Sequence, residues 1–372
     1  MIHIMYNAVT WLAIGLTLSF GFSFLFLSIP KIKELHNYKR ARKIMATAYI
    51  ILAVLYLTEL VMHSATPDME LSRIIKLTVG AFQALLFTYT LISLINLHFV
   101  TPKKIIMELI PILALSGTLF VFHGLRLRGL GVILDIYILY YLSMLVRYTF
   151  LFHKNYWKYN RQVDNFFSEE STAHLRWILY TFIVALLIGI GVLLLTFSEN
   201  ATHYLLFTFL FICFYFYFGI KFLDYAYIFR RIEPAVVETK EKEEESDESL
   251  LRQSYVGLEK ALALWKEEKK FTKPEITIEQ MAIELHTNRT YLSKYINEHE
   301  QKSFKEWINS LRIAEAKHLL VDIPEMPVGE VGQRVGYADR SNFGHQFQKY
   351  VGATPRAWRL SVLKEQLQNR KF

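Results

Sequence analysis

The sequence predicts an all-α chain in two parts: an amino-terminal bundle of seven transmembrane helices, then a soluble helical domain. Three observations predict this. Seven apolar runs fill positions 1–231, each near the ~20 residues that cross a hydrocarbon core about 30 Å thick. Hydropathy then collapses into "IEPAVVETKEKEEESDE", which has eight acidic residues against two lysines. Beyond it, apolar residues recur at helical spacing among charges. At 53% hydrophobic and 15% aromatic residues, a fully soluble chain would have to bury nearly all of them.

The runs lie at roughly 7–29, 44–64, 77–99, 105–122, 130–152, 177–197 and 204–229. The first is too long for a secretory signal, has no basic residue before it and lacks a small-residue cleavage site, so it reads as a retained helix. Orientation follows from Lys and Arg in the short loops. Lys31, Lys33, Lys39, Arg40, Arg42, Lys43, Lys103, Lys104, Lys154, Lys158, Arg161 and Arg176 make twelve on one side. Arg73, Lys76, Arg126 and Arg128 make four on the other. This predicts a multi-pass membrane protein with its amino terminus outside and its carboxyl-terminal domain in the cytoplasm. The single cysteine, Cys213, sits in an apolar run, so no disulfide framework is available.

Ionisable groups at membrane depth are costly and often functional. Glu59, His63 and Asp135, all toward the outer half by this topology, are candidates for sensing a ligand or proton. The bland alternative pairs Glu59 with His63 on one helix face, lets Arg147 snorkel to the inner surface and joins Lys221 to Asp224. "HKNYWKYNRQVDNFF", from position 153, reads as an interfacial loop. There is no phosphate-binding glycine loop, no paired Cys/His metal spacing and no nucleophile elbow. The chain is therefore not read as an enzyme, and no cofactor or metal is expected.

Residues 232–248 read as a solvated acidic linker and 249–372 as the soluble domain. The latter holds 20 Lys/Arg against 15 Asp/Glu, a basic module on an acidic tether. Its first helix places Leu251, Tyr255, Leu258, Leu262 and Trp265 on one face. "EITIEQMAIELHTNRTYLSKYINEHE" then gives a short helix with Met281, Ala282 and Leu285 inward. After a tight break, Asn288 caps a second helix that buries Leu292 and Ile296. Two short helices joined so closely form a helix-turn-helix, whose second helix fits a major groove about 12 Å wide. A long helix follows, with Phe304, Trp307, Ile308, Leu311, Ala314 and Leu319 as its apolar stripe, ending before "VDIPEMP". The unit then repeats. Val328, Val331 and Val335 line a short helix, Gly336 turns the chain, Asp339 caps, and Phe343 and Phe347 face inward. Gly352, Thr354 and Pro355 stop this helix and start a last one through Trp358.

Two helix-turn-helix units joined by a long helix, the second reading "VGYADRSNFGHQFQKYVGATPRAWR", closely resemble the DNA-binding domain of AraC-type transcription regulators. The likeness covers about residues 255–363, and it alone implies that the membrane is a bacterial inner one. Gly332 stands where the family usually has Ala, at a helix-propensity cost of about 1 kcal/mol. Gly344 occupies a position that normally carries a reading side chain, and Gln348 replaces a common Lys. Base reading needs polar groups in the first turns of each recognition helix. Here these are Arg289, Thr290, Ser293 and Lys294 on the first, and Arg340, Ser341, Asn342 and His345 on the second. The resemblance implies that Thr290, Ser293, Lys294, Arg340, Ser341 and His345 face bases. The alternative is that Arg289, Lys294 and Arg340 only neutralise phosphate.

The expectation is a membrane-embedded, sequence-specific regulator whose partners are double-stranded DNA, the lipid bilayer, a second copy in a homodimer and an unknown ligand. The competing reading is a transporter or receptor whose cytoplasmic domain regulates it or binds a protein partner. Two reading helices on one face would reach successive major grooves about 34 Å apart.

Overall fold

A computed structural model of the protein describes residues 2–27, 36–65, 68–96, 99–168, 173–198, 200–236 and 248–369. Every named element is a helix. The chain divides into two compact units, one of Met1–Tyr159 with His174–Val236, the other of Asn160–Ala173 with Val237–Phe372.

The first unit holds α1 (Ile2–Phe26), α2 (His36–Ala65), α3 (Met69–Ile95), α4 (Pro102–Gly124), α5 (Leu130–Asp164), α6 (Ala173–Thr196) and α7 (Ala201–Val236). All seven are long and apolar enough to cross a membrane. At its centre is α3, of which Leu77, Ala81, Leu85 and Leu91 are fully enclosed. In contrast, α4 leaves Ile106, Met107, Ile110 and Leu113 more than half exposed, an apolar face that water tolerates poorly. Helices are tied by tyrosine hydroxyls donating to carbonyls of a neighbour: Tyr49 to Tyr215 O at 2.8 Å, Tyr38 to Phe222 O at 3.0 Å and Tyr141 to Gly189 O at 2.9 Å. Such bonds satisfy a buried phenol without a charged partner.

Several boundaries differ from the sequence expectation. Asp68 caps α3, its carboxylate accepting the Glu70 and Leu71 amides at 3.0 and 3.1 Å, so Arg73 and Lys76 lie in that helix rather than in a loop. Those amide bonds, and His123 at 2.8 Å, hold the Asp68 carboxyl below its usual range. The supposed interfacial loop from His153 is helical to Asp164, because Tyr156, Tyr159 and Val163 recur at helical spacing and are buried. Arg147 forks onto Glu108 with two bonds of 2.6 Å, and Tyr148 donates to the same carboxylate at 3.1 Å. The acidic linker lies largely outside the described residues, although α7 continues through Val236.

The second unit contains α8 (Glu248–Glu267), a 3-10 turn (Lys270–Thr272), α9 (Ile278–Glu284), α10 (Arg289–His299), α11 (Phe304–Asp322), α12 (Val328–Arg334), α13 (Arg340–Val351) and α14 (Pro355–Asn369). Leu258, Leu262 and Trp265 of α8 are buried as expected; the side chains of Leu251 and Tyr255 fall outside the described set. Trp265 stacks on Trp307 with ring centroids 6.0 Å apart. α11 is the spine, but its buried face is rotated from the expected stripe. Leu311 and Leu319 are half-buried and Ala314 is exposed, whereas Asn309, Arg312, Ile313, Ala316 and Leu320 go inward.

Arg312 is wholly buried. Its Nε donates to Phe271 O at 2.9 Å and Nη2 to Lys273 O at 2.8 Å, and its guanidinium lies 5.3 Å from the Tyr337 ring. One side chain thus fixes the loop before α9 and the turn before α13 on the same helix. At the start of α11, Ser303 and Glu306 form a reciprocal capping box. The Ser303 amide and hydroxyl both donate to the Glu306 carboxylate at 3.0 Å and hold its pKa below the usual value.

Two outcomes follow for a fragment of residues 249–372, read from the fluorescence of buried Trp265 and Trp307 during urea unfolding. Arg312→Leu leaves two carbonyls unpaired and should cost about 2–4 kcal/mol; Arg312→Lys should recover less than half, since one ammonium does not fork to both. Glu306 titrates with a lowered folded pKa. Its contribution is therefore present above the unfolded value of about 4.3 and lost as pH falls through the folded one, and Glu306→Gln should flatten that acid limb.

Candidate nucleic-acid interface

The first helix-turn-helix begins with another capping box: Thr277 Oγ1 accepts the Gln280 amide at 3.2 Å and Gln280 Oε1 accepts the Thr277 amide at 3.1 Å. α9 is then stopped by bonds from His286 N to Ile283 O (3.1 Å) and Thr287 N to Ala282 O (2.9 Å), with His286 left-handed at φ 53°. Asn288 Oδ1 accepts the Tyr291 amide at 2.7 Å and starts α10.

The second unit repeats this wiring. Gly336 N reaches Gln333 O at 3.0 Å and Tyr337 N reaches Gly332 O at 2.9 Å, with Gly336 at φ 97°. Here glycine is obligatory, because a Cβ would lie 2.4 Å from Thr272 O. Asp339 caps α13 through the Ser341 and Asn342 amides at 3.1 and 3.3 Å. The second turn is one residue longer, Val335–Asp339 against Leu285–Asn288. Gly332 also has a role beyond its propensity cost: a Cβ there would meet the Phe343 ring at 2.9 Å, so its absence lets α12 approach α13.

On α10, Thr290 and Lys294 are exposed while Arg289 and Ser293 are half-buried. Ser293 accepts from Asn297 Nδ2 at 3.3 Å. Lys294 sits 3.9 Å from Glu298, both half exposed, a pairing too weak to withhold it from a polyanion. On α13, Arg340, Ser341 and His345 are exposed, and Asn342 is half-buried with its Oδ1 lacking a partner among the described residues. The eight expected residues thus occupy the first two turns of two capped helices, anchored beneath by Leu292 and Ile296 in one and Phe343 and Phe347 in the other. Gly344 has nothing within 4 Å of where its Cβ would lie. Composition gave no reason to single out Arg356, exposed in the first turn of α14, whose start Thr354 caps through the Ala357 amide at 3.3 Å.

Of the candidate sensing residues, Glu59 and Asp135 are not brought together. Glu59 is 7% exposed and faces a cavity also lined by Tyr56, Lys76, Gln83 and Tyr204. Lys76 lies 5.6 Å from the Tyr204 ring, which is 5.0 Å from that of Tyr6. Asp135 is exposed on α5 and does not line this cavity; the His63 side chain lies outside the described set. Lys76 was missed as a neighbour of Glu59 because the sequence placed it in a loop.

Residues 281–361 match the helix-turn-helix domain family. The resemblance carried by the motif holds: this region is a helix-turn-helix domain of the AraC type. The chain is 33% identical over 85 residues to an uncharacterized HTH-type transcriptional regulator, YtdP, of Bacillus subtilis, covering 23% of this chain and 11% of the relative. It is 28% identical over 87 residues to the Msm operon regulatory protein of Streptococcus mutans, covering 23% of this chain and 31% of that one. The chain thus spans a third or less of each curated relative. Among solved structures, the DNA-binding domain of AdpA, a global transcriptional factor in complex with a target DNA, is 20% identical. That match covers 30% of this chain and 97% of the other, with a TM-score of 0.27.

Because Gly344 borders open space, Gly344→Ala should stabilise the 249–372 fragment by about 0.5–1 kcal/mol in thermal unfolding. A loss of stability would show that α13 needs a glycine there for another reason.

Proposed function

We propose that this chain is a membrane-embedded, sequence-specific DNA-binding transcription regulator, anchored by α1–α7 and reading DNA with α10 and α13. The observation that carries the reading is the doubled helix-turn-helix, with exposed Thr290, Lys294, Arg340, Ser341 and His345 in the first turns of its two recognition helices. These groups match what base edges and phosphates require, and both helices are capped so that their amino-terminal turns are rigid. The regulatory names of the two curated relatives support the same reading.

The membrane role is supported by seven helices of sufficient length and apolarity and by the excess of Lys and Arg around those ends of the apolar runs that the sequence assigns to one side. Packing of Asn160–Ser168 on helices of the second unit further supports one side for the loop after α5 and the carboxyl-terminal domain, as an even number of later crossings requires. The Glu59 cavity is the proposed place for an input, since Glu59 and Lys76 both line it and together offer a small zwitterionic molecule a carboxylate and an ammonium. Binding there shifts output only if it favours one state over another.

The test is genome-wide mapping of DNA bound by the intact protein, followed by affinity of the 249–372 fragment for the recovered sites across a salt series. Arg340→Ala should weaken specific binding by about 1–3 kcal/mol and relax preference at one base pair. Binding that is blind to sequence and set by salt alone would sink the reading.

A further inference from the structure

The segment Asn160–Ser168 follows the fifth apolar run, yet it belongs to the same compact unit as the helix-turn-helix helices. Its contacts are specific. Ser168 N donates to Ile276 O at 3.2 Å and Ile278 N donates to Phe166 O at 2.9 Å, forming an antiparallel bridge between Phe167 and Thr277. The Ile278 amide is one of those that open α9 and have no partner within their own helix. Asn309 Nδ2 reaches Ser168 O at 3.4 Å, and Asp164 pairs with Lys305 at 3.2 Å where both are mostly enclosed. Val163, Phe166, Phe167 and Ser168 are all under 9% exposed. The Phe166 ring lies 5.3 Å from the guanidinium of Arg289, the first residue of recognition helix α10.

We propose that Asn160–Ser168 is a docking strap for the first helix-turn-helix unit, and that the docked strap holds Arg289 against Phe166, so strap docking and DNA engagement by α10 compete. The inference rests on the DNA-binding reading for the competition, not for the docking. A passive tether would need only apolar contact. This one supplies main-chain bonds, an ion pair and an aromatic face, and the aromatic face meets a cation expected to meet DNA. Arg289 stacked on a ring keeps its charge but gives up its freedom to swing toward a phosphate, a restraint of the size of a cation–π contact. Because Asp164 is the last residue of α5, a displacement of that helix end acts directly on the strap. The strap is thereby a regulatory surface filled by the chain itself.

The bridge supplies the experiment. The hydrogen bonds flank Phe167 and Thr277 rather than joining them, the arrangement in which opposed Cα atoms are about 4.5 Å apart and a disulfide closes readily. In the intact protein in lipid nanodiscs, with Cys213→Ser removing the only native thiol, Phe167→Cys and Thr277→Cys are introduced together. Oxidation with diamide should close an intramolecular cross-link and lower affinity for mapped target DNA at least about 10-fold, with reductant restoring it. Separately, Phe166→Ala should raise affinity about 3- to 10-fold, the size of one released cation–π contact. That gain should vanish when Arg289→Ala is already present. A cross-link that forms without changing affinity overturns the competition, as does a Phe166→Ala protein whose affinity is unchanged. Failure of the cross-link in a protein whose reduced form binds its target overturns the docking. A reduced protein without sequence preference would instead overturn the regulator reading, while cross-link yield still judges the docking.

Discussion

The second unit depends on a guanidinium buried where a hydrocarbon would be expected. Arg312 stands on the inner face of α11 and ties two backbone carbonyls of the segment ahead of α9, while Tyr337 of the second turn lies against it. A buried cation is tolerable when carbonyl dipoles and an aromatic face replace its water. Once it is placed, little else is free. Gly336 must lack a side chain because the backbone of Thr272 is already against it, and Tyr337 must reach Asn309, to which it donates at 2.6 Å. The same Asn309 then donates to Ser168 O, so turn, spine and strap share one polar thread through an otherwise apolar core.

This explains what could be read from sequence and what could not. Helix-turn-helix units announce themselves through caps and apolar spacing, which are local; Asn288, Asp339, Phe343 and Phe347 do what their positions imply. The stripe on α11 was misphased because a buried arginine counts as polar in any hydrophobic pattern, pushing the inferred face toward Leu311 and Ala314. The strap was illegible for a different reason. "DNFFS" pairs with "EITI" far along the chain, and no local period encodes which partner an extended segment will choose.

The seven long helices show the same division. Their existence follows from length and apolarity, but their ends move wherever a cap or a tyrosine-rich turn prolongs them, as with Asp68 and the stretch from His153 to Asp164. Polar residues within the runs also sort themselves only in three dimensions. Glu108 finds Arg147 across two helices, Asp68 finds His123, and Glu59 shares a cavity with Lys76 and Tyr204 of other helices. Pairing of this kind accounts for Glu108 and Asp68, whereas Glu59 and Lys76 face a shared cavity.

The two turns differ by a residue, and one helix is opened by a neutral amide, Asn288, the other by a carboxylate, Asp339. A chain built this way has no internal twofold. Whatever sequence it meets is met with a head and a tail, so reversing the site would present each helix with the other's half. Under the proposed membrane anchoring, that polarity would decide which way the double helix lies along the bilayer when it is held.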